Sequence, residues 1–340
     1  MTPSENTPAR RGPLGLLTVL ALLLTTCATT PGLALVIDEH PPLRLLIDEM
    51  ASRHGFNREL LISRFAEVRI REDILEAIRR PKENLPWHEY RKLFLTATQI
   101  QRGADFWKQN DAALARAQAE YGVPAEIIVA ILGIETRYGK NTGSYRVLDA
   151  LTTLTLRYPE RSDFFRNELV EYLLLTRELR VDPLSIKGSY AGALGSPQFI
   201  PSSYRRYAVD FSGDHRRDLV GNWEDTIGSV ANFLKAHGWQ ANGPIVGAVQ
   251  LDGPLYTWVE NNGLEPRVNL HNLARYGIRP VEATDAQQLA ALFSLEGVEG
   301  PQFHLGYVNF YAITRYNRSK NYSMAVVELA REIRQRYSAP

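Results

Sequence analysis

The chain has 340 residues, 44% of them hydrophobic and 23% charged, so it is long and apolar enough to bury a large core. Its 39 lysines and arginines nearly balance its 38 aspartates and glutamates, which leaves a net charge of +1. A nucleic-acid-binding protein needs a basic face, so this balance argues against nucleic acid as the partner.

The first 34 residues are typical of a targeting segment. Arg10 and Arg11 precede the apolar stretch 14–24, which is too short for an ordinary membrane-spanning helix and has the length of a signal-peptide core. The only cysteine, Cys27, follows this stretch. Two interpretations stay open: lipoprotein processing, in which Cys27 is acylated, and ordinary cleavage after residue 34. A single cysteine allows no internal disulfide, so packing must stabilise the mature chain.

Apolar residues recur at helical spacing over most of the remaining chain and predict a series of helices. Asn57 and Asn222 stand at N-cap positions, and glycines such as Gly122 follow the last turns. Residues 243–311 differ, because short β-branched and aromatic runs separated by Gly, Pro and Asn predict strands there: PIVGAVQL, LYTWVENNG and FHLGYVNFYAI. We therefore expect a mainly α protein with a small β subdomain. The predicted helices cover residues 42–55, 57–68, 104–122, 124–136, 222–238 and 322–336.

The helix 124–136 ends in the sequence GIETRYG and carries one acid, Glu135, among aliphatic residues. Ile131 and Leu132 lie one helical turn before it and share its face. A carboxylate buried without a partner keeps its proton to higher pH, as a general acid working near neutrality requires. The alternative is a solvated helix end at which the acid pairs with a nearby basic residue, and spacing alone favours this alternative.

A second group of candidate residues lies in KGSYAGALGSPQFIPSSY, residues 187–204. Small residues let a ligand approach the backbone, while Ser189 and Gln198 supply hydrogen bonds in fixed directions. Aromatic rings such as those of Tyr90 and Tyr190 offer flat apolar faces of the kind that sugar rings prefer. The alternative is a glycine-rich structural turn with core aromatics.

Several long segments resemble, in matching order, one bacterial family. These segments are GIETRYG, GSYAGALGSPQFIPSSYRRYAVDFSGD, IGSVANFLKAHGW and NFYAITRYNRSKNYSMAV. The family is that of lytic murein transglycosylase B, which cleaves the glycan chains of peptidoglycan. The resemblance covers about residues 40–336 and is densest at 121–240 and 306–326. It implies a lysozyme-like (α+β) catalytic core at about 104–240, with the β subdomain and the C-terminal helix, in one domain spanning 35–340.

The resemblance also implies roles for individual residues. Glu135 would be the catalytic acid, Ser189 would hydrogen-bond the substrate near its 2-acetamido group, and Gln198 would help to hold the sugar. Tyr90 would be an aromatic of the saccharide groove. The expected substrate-binding set is completed by Tyr190, Tyr316, Asn317 and Tyr322.

One carboxylate is fewer than ordinary glycosidases use. The other acids considered, Glu120, Glu126 and Asp149, are predicted to lie on helix surfaces. The resemblance implies that Glu135 acts alone, first as an acid on the bond between N-acetylmuramic acid and N-acetylglucosamine. It then acts as a base on the C6 hydroxyl of the same sugar, which closes a 1,6-anhydro ring. Ring closure within one bound sugar benefits from proximity, so we expect no required cofactor and no second carboxylate.

Residues 210–218 resemble a calcium-binding loop of the EF-hand type. Four side chains stand at its first, third, fifth and ninth places: Asp210, Ser212, Asp214 and Asp218. The sixth place lacks its glycine and the twelfth lacks the chelating glutamate. We therefore favour an aspartate-rich turn, with a structural calcium site as the alternative.

These observations predict a peptidoglycan lytic transglycosylase of the periplasm, either soluble or anchored in the outer membrane through Cys27. Its expected partners are glycan strands and, beyond them, cell-wall synthesis enzymes. A hydrolysing muramidase with the same acid is one alternative, but it needs a second carboxylate and 187–204 contains none. A non-catalytic wall-binding protein is the other, and the joint presence of Glu135, Ser189 and Gln198 argues against it.

Overall fold

The computed structural model describes residues 35–79, 85–260 and 262–339. The predicted targeting segment, with Cys27, lies outside the described residues. The described helices are α1 (Pro41–His54), α2 (Arg58–Ala66), α3 (Glu72–Ile78), α4 (Trp87–Tyr90), α5 (Ala97–Gln109), α6 (Asp111–Tyr121), α7 (Ala125–Thr136), α8 (Val147–Arg157), α9 (Ser162–Leu179), α10 (Pro201–Tyr207), α11 (Trp223–Ala236), α12 (Thr257–Glu260), α13 (Leu270–Leu273), α14 (Val308–Thr314) and α15 (Lys320–Ser338). The described strands are β1 (Tyr145–Arg146), β2 (Lys187–Gly188), β3 (Val246–Leu251), β4 (Val268–Asn269), β5 (Ile278–Pro280), β6 (Leu289–Glu296) and β7 (Pro301–Tyr307).

α7 is a buried helix at the centre of the helical part. It packs against α5 and α15, and Ile128, Ile131 and Leu132 on it are 0% exposed. In the described part of the chain no helix by itself is long and apolar enough to cross a membrane, and α6 with α7 meets that criterion only as a pair bent by 115°. The helix that carries Glu135 is thus enclosed by the protein's own apolar core.

The predicted helix 104–122 is wrong as one element, because α5 and α6 break at Asn110. Asn110 has φ −121° and ψ 23°, outside the helical range, and its side-chain amide donates to the Phe106 carbonyl at 2.9 Å. An asparagine that bonds the nearby backbone competes with the helical hydrogen bonds. Elsewhere the capping signals hold: the side chains of Asn57 and Asn222 both accept hydrogen bonds from first-turn amides, at α2 and α11.

The β region forms one antiparallel sheet in the order β4-β6-β7-β3-β5. Phe293 on β6 lies opposite His304 on β7, and residues such as Leu292 and Leu305 form a small apolar cluster of their own. Two predicted strands are wrong in part. The stretch LYTWVENNG contains the helix α12, and FHLGYVNFYAI leaves the sheet after Tyr307 and continues as α14. Short aromatic runs fit either period, so pattern alone does not separate strand from helix there.

Candidate active site

Glu135 lies in the last turn of α7, half-buried, with Ile131 fully buried one turn before it. After Thr136 the chain turns sharply, because Arg137 and Tyr138 both adopt positive φ angles, 52° and 60°. Left-handed backbone at two consecutive non-glycine residues is costly and persists only where the surroundings hold it. The helix therefore stops at Thr136 and leaves the carboxylate of Glu135 in its last turn.

A tyrosine binds the carboxylate of Glu135. Tyr322, on α15 and 2% exposed, donates its hydroxyl to Glu135 Oε1 at 2.6 Å. Burial first, and then the negative charge of Glu135, raise the pKa of Tyr322 well above its ordinary value of 10.0. The phenol therefore stays protonated over the working pH range and remains a donor to the acid.

A second tyrosine connects this pair to the glycine-rich stretch. The ring of Tyr316 lies 6.4 Å from that of Tyr322 with an angle of 12° between their planes, and its hydroxyl donates to the Pro197 carbonyl at 2.6 Å. The Tyr316 ring is partly exposed but its hydroxyl end is enclosed, so burial, followed by the charge of Glu135, raises its pKa well above 10.0. Phe233 packs against the same ring, at 4.8 Å between centroids.

After β2 the stretch 187–204 forms a tight turn, which the side chain of Ser189 stabilises. Its Oγ accepts hydrogen bonds from the backbone amides of Ala191 at 3.2 Å and Ala193 at 3.0 Å. A serine hydroxyl that accepts twice still carries its own hydrogen, which is the group Ser189 can offer a ligand. The structural turn and the binding role considered from the sequence are thus compatible.

Gln198 is held by its side-chain amide nitrogen. Nε2 donates to the Thr142 carbonyl at 3.1 Å and to the Gly195 carbonyl at 2.9 Å, which leaves the carbonyl Oε1 as the acceptor it can offer a sugar hydroxyl or amide. The loop that contains Thr142 can approach the backbone of Gly188 closely because Gly143, at φ 100°, has no side chain. A Cβ there would lie 2.0 Å from the Gly188 carbonyl oxygen.

The remaining predicted residues differ in their exposure. Tyr190 is 36% exposed at the turn, and Asn317 is half-buried beside Tyr316. Tyr90 is 2% exposed and packs against Phe94, with 5.3 Å between ring centroids. The ring of Tyr90 is therefore enclosed by the core, and its role in a saccharide groove stays a prediction.

Three acids considered as a second carboxylate are accounted for elsewhere. Glu126 pairs with Arg334 at 2.7 Å, and Glu120 lies on the exposed face of α6. The prediction that Asp149 lies on a helix surface is wrong. It is 4% exposed, and it binds Arg146 through both oxygens, at 2.8 and 2.9 Å. A buried carboxylate paired in this way is structural and does not activate a water.

The aspartate-rich loop uses a residue that the sequence pattern did not indicate. Asp210, Asp214 and Asp225 bring carboxylate oxygens within 4.8 Å of one another. Asp225 comes from the first turn of α11 and is 0% exposed, with amides of Phe211 and Asp218 among its donors. Oxygen ligands of this kind suit Ca²⁺, so the cluster fits a hard divalent cation.

The expectation that Asp218 belongs to this set is wrong. Its Oδ1 accepts from the amides of Val220 and Gly221, both at 2.9 Å, and its side chain is not in the cluster. His215 takes the sixth place of the loop with φ 66°, so the chain makes the sharp turn there without glycine. The twelve-residue pattern of the EF-hand loop did not indicate Asp225, because this third carboxylate comes from the helix that follows the loop.

A mainly helical core that presents one half-buried carboxylate beside a rigid, hydrogen-bonding stretch is typical of lysozyme-like enzymes that cleave glycans. The model of the transglycosylase SLT domain family matches residues 39–331. A relative of known function, membrane-bound lytic murein transglycosylase B of Escherichia coli, is 41% identical over 306 residues, which cover 86% of this chain and 83% of the relative. The chain therefore belongs to the transglycosylase SLT domain family and is a lytic transglycosylase.

Solved structures agree with this assignment. The catenated lytic transglycosylase SltB1 of Pseudomonas aeruginosa has a TM-score of 0.83 and 47% identity, covering 88% of this chain and 98% of that one. The lytic transglycosylase Slt35 of Escherichia coli, in complex with bulgecin A, has a TM-score of 0.80 and 41% identity, with coverage of 88% and 94%. Slt35 has also been solved in complex with calcium. SltB3 of Pseudomonas aeruginosa, in complex with NAG-anhNAM-pentapeptide, has a TM-score of 0.74 and 32% identity, with coverage of 86% and 78%.

Proposed function

We propose that this enzyme cleaves the bond between N-acetylmuramic acid and N-acetylglucosamine in peptidoglycan and leaves a 1,6-anhydro end, with Glu135 as its only acid and base. The observation that carries the proposal is the hydrogen bond of 2.6 Å from Tyr322 to Glu135, in the last turn of a buried helix. The relatives support the substrate class, since one is named a murein transglycosylase and another binds an anhydro-muramoyl peptide.

The chemistry needs the carboxyl group of Glu135 in both protonation states. In the first step the protonated carboxyl transfers its proton to the oxygen between the two sugars. The bond from C1 to this oxygen breaks, and the leaving sugar departs with the proton. In the second step the carboxylate removes the proton from the C6 hydroxyl, whose oxygen bonds to C1 of the same sugar. The proton returns to Glu135, so the enzyme regains its starting state and no water is consumed. Tyr322 stabilises the carboxylate formed between the steps.

Ser189 and Gln198 complete the proposal as sugar ligands. The hydrogen of the Ser189 hydroxyl suits the acetamido oxygen, and the Gln198 carbonyl suits a hydroxyl or amide hydrogen, because their other bonding capacity goes to backbone groups. Tyr190, Tyr316 and Asn317 are the further groups that we propose for the cleft. Of these, Tyr190 is the most exposed ring and the one suited to stacking.

The experiment that tests this function is mass analysis of the products released from purified peptidoglycan. We expect muropeptides that end in an anhydro sugar. Products heavier by one water would identify the alternative, a hydrolysing muramidase, and would contradict the proposal. To trace the oxygen, the digestion is repeated in ¹⁸O-labelled water. The label should be absent from the new ends, because the C6 oxygen of the substrate supplies the new bond.

We also propose that Asp210, Ser212, Asp214 and Asp225 hold a calcium ion that stabilises the fold and takes no part in catalysis. Three carboxylates within 4.8 Å repel one another unless a cation lies between them. Ser212 belongs to the same turn, where its hydroxyl lies 3.4 Å from Asp210 Oδ1. The complex of Slt35 with calcium supports the choice of ion.

Calcium is therefore expected to raise the midpoint of thermal unfolding relative to EDTA. The gain in unfolding free energy is about 2.7 kcal/mol when free calcium exceeds its dissociation constant about 100-fold. Asp214→Asn, at an exposed position, should remove most of this gain. Asp218→Asn is the matched control and should keep it, because Asp218 lies outside the cluster. An equal response of both variants to calcium would contradict the ligand set.

We further propose export to the periplasm, with Cys27 as the site of a lipid anchor to the outer membrane. The membrane-bound relative supports a wall-facing location for the family. The test is labelling with a fatty acid: incorporation that disappears in Cys27→Ser supports the anchor, and an unlabelled wild-type chain supports cleavage after residue 34. Cell-wall synthesis enzymes remain proposed partners on the ground of the shared substrate.

A further inference from the structure

The residue after Glu135 joins the helix that carries the acid to the stretch that carries Gln198. Thr136 is 0% exposed and donates its hydroxyl to the Ser196 carbonyl at 2.9 Å, while a second carbonyl, that of Leu132, lies at the longer distance of 3.4 Å. The same hydroxyl accepts from the Gly139 amide at 3.0 Å. The Thr136 side chain thus fixes both the turn that follows Glu135 and the backbone at Ser196.

A second hydrogen bond holds the glycine-rich stretch at Pro197, the residue after Ser196. The Pro197 carbonyl accepts the hydroxyl of Tyr316, so two consecutive carbonyls, of Ser196 and Pro197, are held by α7 and by the segment between α14 and α15. Gln198 follows at once with a φ of 50°, a conformation that a non-glycine residue keeps only when it is constrained. The two bonds therefore fix the backbone immediately before the proposed sugar ligand.

We propose that Thr136 is a positioning residue that sets the separation between the Glu135 carboxyl and the sugar held by Gln198. The inference rests on the proposed function, which assigns the acid and the sugar ligand. One carboxyl must reach the bridging oxygen in the first step and the C6 hydroxyl in the second. Both steps therefore depend on the position of the sugar relative to this carboxyl. A displaced sugar slows both steps and lets water reach C1 in place of the C6 oxygen.

The test replaces the Thr136 hydroxyl while keeping the shape of the side chain. Thr136→Val should lower kcat on a soluble glycan oligomer on the order of 10- to 100-fold with a smaller change in KM, and should increase the share of products that contain an added water. Thr136→Ser retains the hydroxyl and should restore both quantities. All variants are assayed at a temperature where circular dichroism shows them folded, and Thr136→Ala serves if the valine variant does not fold.

The matched control is Thr152→Val in α8. Thr152 is also 0% exposed, but its hydroxyl has no hydrogen-bond partner among the described residues, so this variant should keep wild-type kcat and product ratio. If Thr136→Val behaves like Thr152→Val while Glu135→Gln is inactive, the positioning role is wrong and the proposed function stands. If Glu135→Gln stays active, the proposed function itself fails. Equal losses in the valine and serine variants would also overturn the inference, because the hydroxyl would then not be responsible.

Discussion

Replacing Glu135 with glutamine is expected to lower kcat/KM on peptidoglycan by about 10²- to 10⁴-fold, the range that general acid–base catalysis contributes. Glutamine keeps the size of the side chain, and its carbonyl can still accept the hydroxyl of Tyr322, so the fold should be retained. It cannot give a proton to the bridging oxygen or remove one from the C6 hydroxyl. Both steps would therefore fail, and release of soluble muropeptides measures the loss.

The control for this substitution lies on the same helix. Glu126 is in the first turn of α7, at the opposite end of the helix from Glu135, and pairs with Arg334. Glu126→Gln makes the same chemical change and removes an ion pair whose arginine is 60% exposed, so activity should stay at the wild-type level. Wild-type rates of peptidoglycan release by Glu135→Gln would refute the catalytic assignment and would favour a wall-binding role.

The second large effect is expected for Tyr322→Phe. A hydrogen bond to a charged group contributes about 1.5–3 kcal/mol, which corresponds to roughly a 10- to 100-fold loss of kcat/KM. The substitution should also shift the pH–rate profile, and the direction of the shift follows from Tyr322 being the donor and the Glu135 carboxylate the acceptor. Because the phenol stabilises the ionised carboxylate of Glu135, its removal favours the protonated acid. The alkaline limb of the pH–rate profile, where the acid loses its proton, should therefore move to higher pH.

A matched tyrosine on the same helix provides the control. Tyr337, near the end of α15, donates its hydroxyl to Asp111 Oδ1 at 2.9 Å. Tyr337→Phe removes a bond of the same kind away from Glu135 and should leave the pH–rate profile unchanged. A profile that does not move in Tyr322→Phe, or that moves equally in both variants, would contradict the role given to Tyr322.

Local sequence signals predicted the elements that depend on a few neighbouring residues. The N-caps at Asn57 and Asn222 and the buried helix that carries Glu135 in its last turn are of this kind, because capping and helical spacing act over at most a few positions. The same rules failed where one residue pattern fits two kinds of secondary structure. The break at Asn110 and the helix that follows Tyr307 were not found, since propensity is weak compared with the packing that decides such cases.

The sequence by itself determined that one acid stands among aliphatic residues at a helix end and that a glycine-rich stretch carries hydrogen-bonding side chains. Only the tertiary structure decided what surrounds them. Tyr322 reaches Glu135 from 187 positions away, and Asp225 joins the cluster from the helix after the loop. Thr136 reads locally as an ordinary helix residue, yet it binds a carbonyl 60 positions later. Helix periodicity fixes which residues share a face, whereas contacts between elements depend on the path of the whole chain.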